Sequence, residues 1–189
     1  MKKIIPLALT AAMAAVVFAQ DVETREEGAA TSVREDRVRS ADAWPAFFAV
    51  CNYPSAVDVV GLRLTIPFST RQENVTGIDL GLWGSSLYFE GIQVNILRNE
   101  VKDDSSGFQV GIYNSVGGGD LLGLQAGLWN EANSMRGAQV GIVNVSGETE
   151  GFQVGLINRS DTMHGYQVGL VNIIREAELQ FCPIVNIGF

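Results

Sequence analysis

Apolar and polar residues alternate along most of the chain in a short motif that recurs eight times. The motif reads Gly, apolar, Gln, Val, Gly, Leu or Ile, large apolar, Asn, and its positions are numbered 1 to 8 from the glycine. A fixed short period over this many copies predicts a repeat architecture. Successive copies begin 14 or 16 residues apart, at Gly61, Gly77, Gly91, Gly107, Gly123, Gly137, Gly151 and Gly165, and a distorted last copy covers 179–186.

Each copy has the pattern of a β-strand. Positions 2, 4 and 6 are apolar and rich in β-branched or aromatic residues, as in Phe152, Val154 and Leu156. Strict alternation of this kind predicts a strand rather than a helix. Short polar segments between copies, such as 146–149 and 159–162, are interpreted as turns.

The asparagine at position 8 indicates how the strands are arranged. Asparagines at one register suggest a stacked amide ladder, which requires equivalent strands to lie parallel and about 4.8 Å apart. We therefore predict an all-β fold, a β-solenoid with coils of 14–16 residues. Val75, Phe89, Met135 and Met163 lie late in their copies and are expected to fill the core from a second arm. The predicted ladder consists of Asn114, Asn130, Asn144, Asn158 and Asn172.

Two other folds stay open at this point: a closed antiparallel β-barrel in an outer membrane and a soluble antiparallel sandwich or barrel. The chain ends in Phe189 with Ile187 and Val185 alternating before it, which is similar to the end of outer-membrane barrels. Spanning strands need about 9–11 residues, however, and here only three apolar positions precede the asparagine. Cys51 and Cys182 separate these folds, because they would be on the order of 35 Å apart in a solenoid and near neighbours in a closed sheet.

The N-terminus predicts export. Lys2 and Lys3 precede an apolar stretch over 4–18 that is too short for a spanning helix, and cleavage before Gln20 is expected. We predict a signal peptide at 1–19, a flexible polar leader at 20–43, an N-terminal cap strand at 44–60 and the repeat domain at 61–189. The expected location is the bacterial cell surface, outer membrane or periplasm, and membrane association is left open.

Charge and composition exclude several classes of function. The 189 residues carry 13 basic and 21 acidic side chains, a net charge of −8. Removal of the signal peptide, which contains two lysines, changes the net charge to about −10. A protein this acidic is not expected to bind nucleic acid. One histidine and two cysteines leave little material for a metal site or a histidine-based triad, so neither metal nor cofactor is expected. The prediction is a non-enzymatic structural or interaction module.

Candidate binding residues lie on the odd positions. Parity places Asn at position 8 with positions 2, 4 and 6, so the opposite face would carry the glutamines, the glycines of position 5 and the large apolar residues of position 7. Such a face is poor in charge and is expected to be covered by the leader, by residues 45–60, by a second copy, or by an envelope or extracellular protein or polysaccharide. The candidates are Trp83, Gln109, Tyr113, Gln125, Trp129 and Gln139.

The repeat units, the aromatic segment at 43–48 and the closing segment at 182–189 resemble a family of bacterial surface-repeat proteins. The resemblance covers about residues 44–189 and implies an exported envelope or surface protein, with no catalytic residues to transfer. The copies at Gly77 and Gly91 depart from the pattern, because Gly84 and Arg98 stand where Asn is expected. A continuous asparagine ladder is therefore not predicted across these two copies.

Overall fold

The computed structural model describes residues 45–51, 53, 57–69 and 74–189, which lie in one compact unit. The predicted signal peptide, the polar leader and residue 44 of the cap segment lie outside the described residues. The strands are β1 (Ala46–Val50), β2 (Val59–Thr65), β3 (Asn74–Ser86), β4 (Tyr88–Val101), β5 (Ser105–Val154), β6 (Ile157–Ile174) and β7 (Phe181–Gly188).

The strands form a β-solenoid of parallel coils, as the repeat predicts, and not a closed barrel. The first glycines of successive copies pair with one another, so that Gly77 lies beside Gly91 and Gly151 beside Gly165, and the register shifts only later in the coil that begins at Gly91. β5 runs through several coils without interruption. The segments 146–149 and 159–162, interpreted above as turns, are strand residues because backbone pairing with neighbouring coils continues through the bends.

The first glycine of every copy is a sharp bend in the coil. All eight have φ between 125° and 150°, a region that residues with a Cβ rarely adopt. At Gly123 an added Cβ would lie 2.0 Å from the carbonyl oxygen of Gly107 in the preceding coil. Glycine is therefore required both by backbone conformation and by the close approach of successive coils.

The interior is lined by motif positions 3 and 8 and by the residue two places before the next glycine. The last set confirms the predicted second arm of the core, since Val75, Phe89, Met135 and Met163 are all buried. Positions 2, 4 and 6 point outward instead, and Phe108 and Val110 remain 52% and 42% exposed. The prediction that these apolar positions share a face with the asparagine is therefore wrong.

The error has a structural cause in the second bend of each coil. Alternation continues from position 1 to position 6, but positions 6 and 7 both lie on the outside, as Ile142 and Val143 show, before Asn144 turns inward. This bend shifts the parity by one residue. Gln at position 3 and Asn at position 8 consequently point to the same interior, although they are five positions apart and would lie on opposite faces of an unbroken strand.

The two ends of the stack differ. β1 adds to the first coil in parallel, whereas β7 pairs with β6 in the antiparallel direction. Within the predicted cap segment the structure places β1 and the first two residues of β2, while residue 52 and residues 54–56 lie outside the described part. Cys51 follows β1 and Cys182 lies in β7, and no disulfide joins them.

Candidate functional site

The predicted binding residues Gln109, Gln125 and Gln139 lie in the interior, with 0% exposure. Each glutamine Nε2 donates to the Oε1 of the glutamine in the preceding coil, over distances between 2.8 and 3.1 Å. These side chains hydrogen-bond to one another inside the solenoid. The prediction that they are contact residues on an outer face is therefore wrong. The ladder members are Gln93, Gln109, Gln125, Gln139, Gln153 and Gln167.

The predicted asparagine ladder is present, and it is longer than expected. From Asn99 to Asn158, each Nδ2 donates to the Oδ1 of the asparagine in the next coil, over 2.6 to 2.8 Å. A one-residue bulge between Val94 and Arg98 brings Asn99 rather than Arg98 into the ladder, and Asn95 of the same coil donates to Asn99 Oδ1 over 2.8 Å. The asparagine amides donate toward the C-terminal end and the glutamine amides toward the N-terminal end, so the two ladders run in opposite directions.

A buried ion pair terminates the glutamine ladder. Arg63 and Asp79 occupy position 3 in the first two copies, and both side chains are 0% exposed with Nη2 and Oδ2 2.6 Å apart. The same Oδ2 accepts hydrogen bonds from Gln93 Nε2 and Asn95 Nδ2. Neither residue of this pair was among those predicted from the sequence, although opposite charges at the glutamine position of adjacent copies were a signal for it.

These ladders explain why amides rather than apolar side chains occupy the interior. A buried amide is costly unless its hydrogen bonds are made, and here each supplies the partner of the next. The glycines of position 5 leave the space that the asparagines fill: a Cβ on Gly127 would lie 2.6 Å from Asn114 Nδ2. The interior is thus satisfied without the apolar residues of the first strand segment, which remain outside.

Those apolar residues form a continuous outer surface, called here the apolar sheet face. It consists of positions 2, 4 and 6 of the eight copies, 24 positions (three in each of eight copies) that include no charged residue and only one polar group, the Tyr166 hydroxyl. Phe48 and Val50 of β1 pair beside it at one end, and Val185 and Ile187 of β7 at the other. Exposed apolar surface on this scale usually marks a contact site.

The apolar sheet face is uneven. Phe108 and Phe152 project from it with 52% and 53% exposure, and the Phe152 ring stacks on Tyr166 with centroids 5.6 Å apart. In the position 2 column, Leu124 and Ala138 lie between the two phenylalanines. The face is therefore lowest in this column at Ala138, a spot called here the depression.

The other three predicted residues do come together on the outside. Trp83, Tyr113 and Trp129 lie at position 7, in a row called here the aromatic–arginine column because Arg98 occupies the coil between Trp83 and Tyr113. The Arg98 guanidinium carbon lies 5.4 Å from the Trp83 ring centroid and 4.9 Å from that of Tyr113. Such cation–π contacts contribute about 0.5–1 kcal/mol each at exposed sites.

Two glutamates flank this column. Glu100 forms an ion pair with Arg98 over 3.3 Å, and Tyr113 Oη donates to Glu131 Oε2 over 2.6 Å. Burial, followed by the charge of Glu131, raises the pKa of Tyr113 well above its ordinary value. Tyr113 therefore stays a neutral hydrogen-bond donor through the neutral and moderately alkaline range. Arg98 and Glu131 were not among the predicted site residues. The bulge that aligns Arg98 with position 7 is not visible in the motif spacing.

The third side of the coil is polar and carries an open groove of about 390 Å³. Glu90, Asp104, Asp120 and Arg136 are among the residues that line it. Asp104 Oδ1 already accepts the backbone N–H of Asp120 over 2.9 Å. Across the described ranges, no group of three or more His, Cys, Asp or Glu residues is arranged to hold a metal ion.

The described part of the chain contains no helix that is long and apolar enough to cross a membrane. Comparison of the chain with known protein families, with characterised proteins and with solved structures finds no match. The resemblance to bacterial surface-repeat proteins therefore stays a prediction, and function has to be argued from the surfaces described above.

Proposed function

We propose that this chain is an exported, non-enzymatic structural or interaction module of the bacterial envelope, and that it works through the apolar sheet face. The observation that carries the proposal is the absence of charge from 24 contiguous outward positions. Isolated apolar residues are common on protein surfaces, but an unbroken apolar sheet face is costly to leave in water. A contact that removes the face from water gains roughly 25 cal/mol for each Å² of apolar surface buried.

The rest of the coil supports a scaffold role. The interior is filled by two amide ladders and a row of core side chains, and each coil contacts the coils beside it. A regular stack of this kind holds its outer columns at fixed spacing, about 4.8 Å from one coil to the next. Export is proposed from the positive start and the short apolar stretch at the N-terminus.

Thiol labelling tests whether the face is covered in the cell. Val140→Cys, in the middle of the face, is compared with Glu148→Cys, at an exposed position on the polar side, each in a chain with Cys51→Ser and Cys182→Ser. In envelopes and periplasmic extract we expect a small maleimide to label Glu148→Cys readily and Val140→Cys only after denaturation. Equal labelling of both before denaturation would contradict the proposal.

The export part of the proposal has its own measurement. Intact mass analysis of the protein recovered from cells that make the full chain is expected to give a polypeptide that starts at Gln20. A cytoplasmic polypeptide that still starts at Met1 or Lys2 would refute export.

A second candidate function is binding of a polysaccharide along the aromatic–arginine column. The observation that favours it is the row of aromatic rings at coil spacing, since rings beside hydrogen-bonding groups suit the apolar faces of sugars. Trp129→Ala and Tyr113→Ala are expected to abolish retention on envelope polysaccharide, whereas Val171→Ala, in the same row, should have no effect. Unchanged retention of the two aromatic variants, with the fold intact, would remove this candidate.

A further inference from the structure

We propose that the apolar sheet face is covered by a second copy of this chain, in a face-to-face dimer with a two-fold axis through the coil that begins at Gly123. This inference rests on the proposed function and specifies the partner. Three properties of the face carry it: its size, its charge and its relief.

The size of the face suits a dimer. From β1 to β7 there are nine coil intervals, so the face is about 40 Å long at the strand spacing, and its six motif positions span about 15–20 Å. The footprint of about 700 Å² exceeds the largest apolar patch of most monomers, about 300–600 Å². It approaches the area of about 800 Å² that each partner buries in a standard protein interface.

The charges of the chain favour a second copy over a lipid surface. Peripheral membrane-binding surfaces carry Lys and Arg beside their apolar residues, because the headgroups of the membrane are partly anionic. Here the chain has a net charge of −8, and the row on the glycine side of the apolar sheet face includes Glu90 and Glu150 against Arg136. Arg98, in the row on the other side, is paired with Glu100. Homodimer interfaces are apolar and depleted of charge, as this face is.

The relief of the face favours one axis. A two-fold axis that lies in the interface, parallel to the strands and through the Gly123 coil, relates each column to itself and reverses the order of coils. It places Phe108, one coil before the axis, against Ala138 of the second copy, one coil after it, while Leu124 lies against its own equivalent and Phe152 against Ile92. The Phe108 ring therefore meets the depression, and it does so twice, because an isologous interface repeats every contact.

Residues on the axis then face their own copies. Ala126, at position 4 of the Gly123 coil, would lie against Ala126 of the second copy, where its small side chain allows close approach. Val168, at the same position three coils further along, would be about 29 Å from its equivalent, which is six strand spacings. This difference gives a sharp test on two residues of the same column.

The test uses single cysteines in the full chain with Cys51→Ser and Cys182→Ser, after removal of the signal peptide. We expect sedimentation to give a dimer. A bismaleimide that spans about 10 Å, the face-to-face spacing of packed sheets, should cross-link Ala126→Cys into a covalent dimer but leave Val168→Cys uncross-linked. Ala138→Arg, which fills the depression with a charge, is expected to give a folded monomer, and Ser134→Arg on the polar side to remain dimeric. Circular dichroism and thermal unfolding confirm that both arginine variants fold.

A protein that is monomeric at high micromolar concentration, and also when diluted 100-fold from it, would overturn the inference. So would a dimer in which Val168→Cys cross-links as well as Ala126→Cys, because the axis would then lie elsewhere. A monomer whose Val140→Cys is nevertheless protected in the cell would overturn the dimer but leave the proposed function standing. In that case, binding to phosphatidylcholine vesicles distinguishes a lipid surface from another protein.

Discussion

Arg63 Nη2 and Asp79 Oδ2 lie 2.6 Å apart inside the first two coils, with neither side chain exposed to solvent. The pair stands in register with the glutamine ladder, since Arg63 pairs with Asp79 and Asp79 with Gln93. The carboxylate accepts the last N–H of that ladder, and the guanidinium neutralises the carboxylate. A ladder of neutral amides is thus terminated by a charge pair rather than by an unpaired donor.

Replacement of Asp79 alone is expected to be severe. Asp79→Gln leaves the Arg63 cation buried without its counterion, and loss of one partner of a buried pair costs about 3–5 kcal/mol. The double variant Arg63→Gln, Asp79→Gln should recover at least half of that loss, because it continues the glutamine ladder through the first two coils. Urea unfolding of the wild type, both single variants and the double variant measures the coupling. A double variant no more stable than Asp79→Gln would show that the pair does not substitute for ladder steps.

The bend glycines give a second prediction. Gly137→Ala forces a Cβ to within 2.0 Å of the Gly123 carbonyl oxygen at a φ of 141°, and such backbone strain alone costs about 1–3 kcal/mol. Gly117→Ala is the matched control, because its Cβ would lie 3.7 Å from the Lys102 carbonyl oxygen, an ordinary contact. We expect thermal unfolding to show a large loss of stability for Gly137→Ala only. Equal losses would mean that the bend tolerates a side chain.

How far the fold follows from the sequence is illustrated by these glycines and by the asparagines. The period and the asparagine register predict a parallel solenoid, because only parallel coils stack identical residues. Parity, in contrast, gave the wrong side for Gln139 and Val140. It assumes an unbroken strand, while the bend between positions 6 and 7 reverses the alternation, and no residue type in the motif marks that bend.

The candidate site was predictable only in part. Position 7 brings Trp83, Tyr113 and Trp129 into one outer row, as the repeat spacing implies. Gln109 was assigned to an outer face because parity opposes it to the asparagine and to positions 2, 4 and 6, and that reasoning failed at the second bend. The glutamine can be buried because the ladder supplies each amide with partners from adjacent coils. Such partners belong to the assembled stack and cannot be seen in a single copy.

Ionisation of Tyr113 makes the free energy of unfolding depend on pH in the alkaline range. Its pKa is raised in the folded protein by burial and by Glu131, so the unfolded chain ionises first as the pH rises above about 10. The folded state then holds more protons than the unfolded state, and stability falls with pH. The contribution is fully present below about pH 10 and is lost above it.

The variant Tyr113→Phe cannot ionise in either state. It should be less stable than the wild type at pH 8, because it lacks the hydrogen bond to Glu131, and this deficit should shrink at pH 11. Urea midpoints at the two pH values measure it. Trp129→Phe, in the next coil of the same column, adds no titratable group and should keep a constant deficit. A Tyr113→Phe deficit that does not change with pH would contradict the assignment.

The last glutamine offers a stabilising substitution. Gln167 Oε1 and Asn186 Nδ2 are both buried without a hydrogen-bond partner, and the two residues pair in register. Asn186→Gln adds one methylene, which is expected to bring the amide N–H to Gln167 Oε1 and to stabilise the protein by about 1 kcal/mol. Asn186→Leu, which brings no donor, serves as the control in thermal unfolding. No gain from the glutamine over the leucine would show that the last coil cannot accept another ladder step.

The cysteines report on the stacking itself. Nine coil intervals place Cys51 and Cys182 about 40 Å apart, far beyond the limit of about 7 Å between the Cα atoms of a disulfide. Peptide mass spectrometry of the oxidised monomer is expected to find no bond between them. Glu150→Cys with His164→Cys, a pair in register in adjacent coils, should cross-link under the same conditions. A Cys51–Cys182 bond within one monomer would refute the solenoid.

The reversed direction of β7 has a consequence for the length of the stack. Parallel in-register strands with glutamine and asparagine ladders are also the architecture of amyloid, whose fibrils grow because every terminal layer is a template for an identical one. Here the terminal layer runs the other way, contains Pro183, which has no N–H to donate, and bends at Ile184, where φ is 73°. A further coil finds no matching template on this layer. The protein is in this sense an amyloid-like core whose growth at the β7 end stops within a single chain.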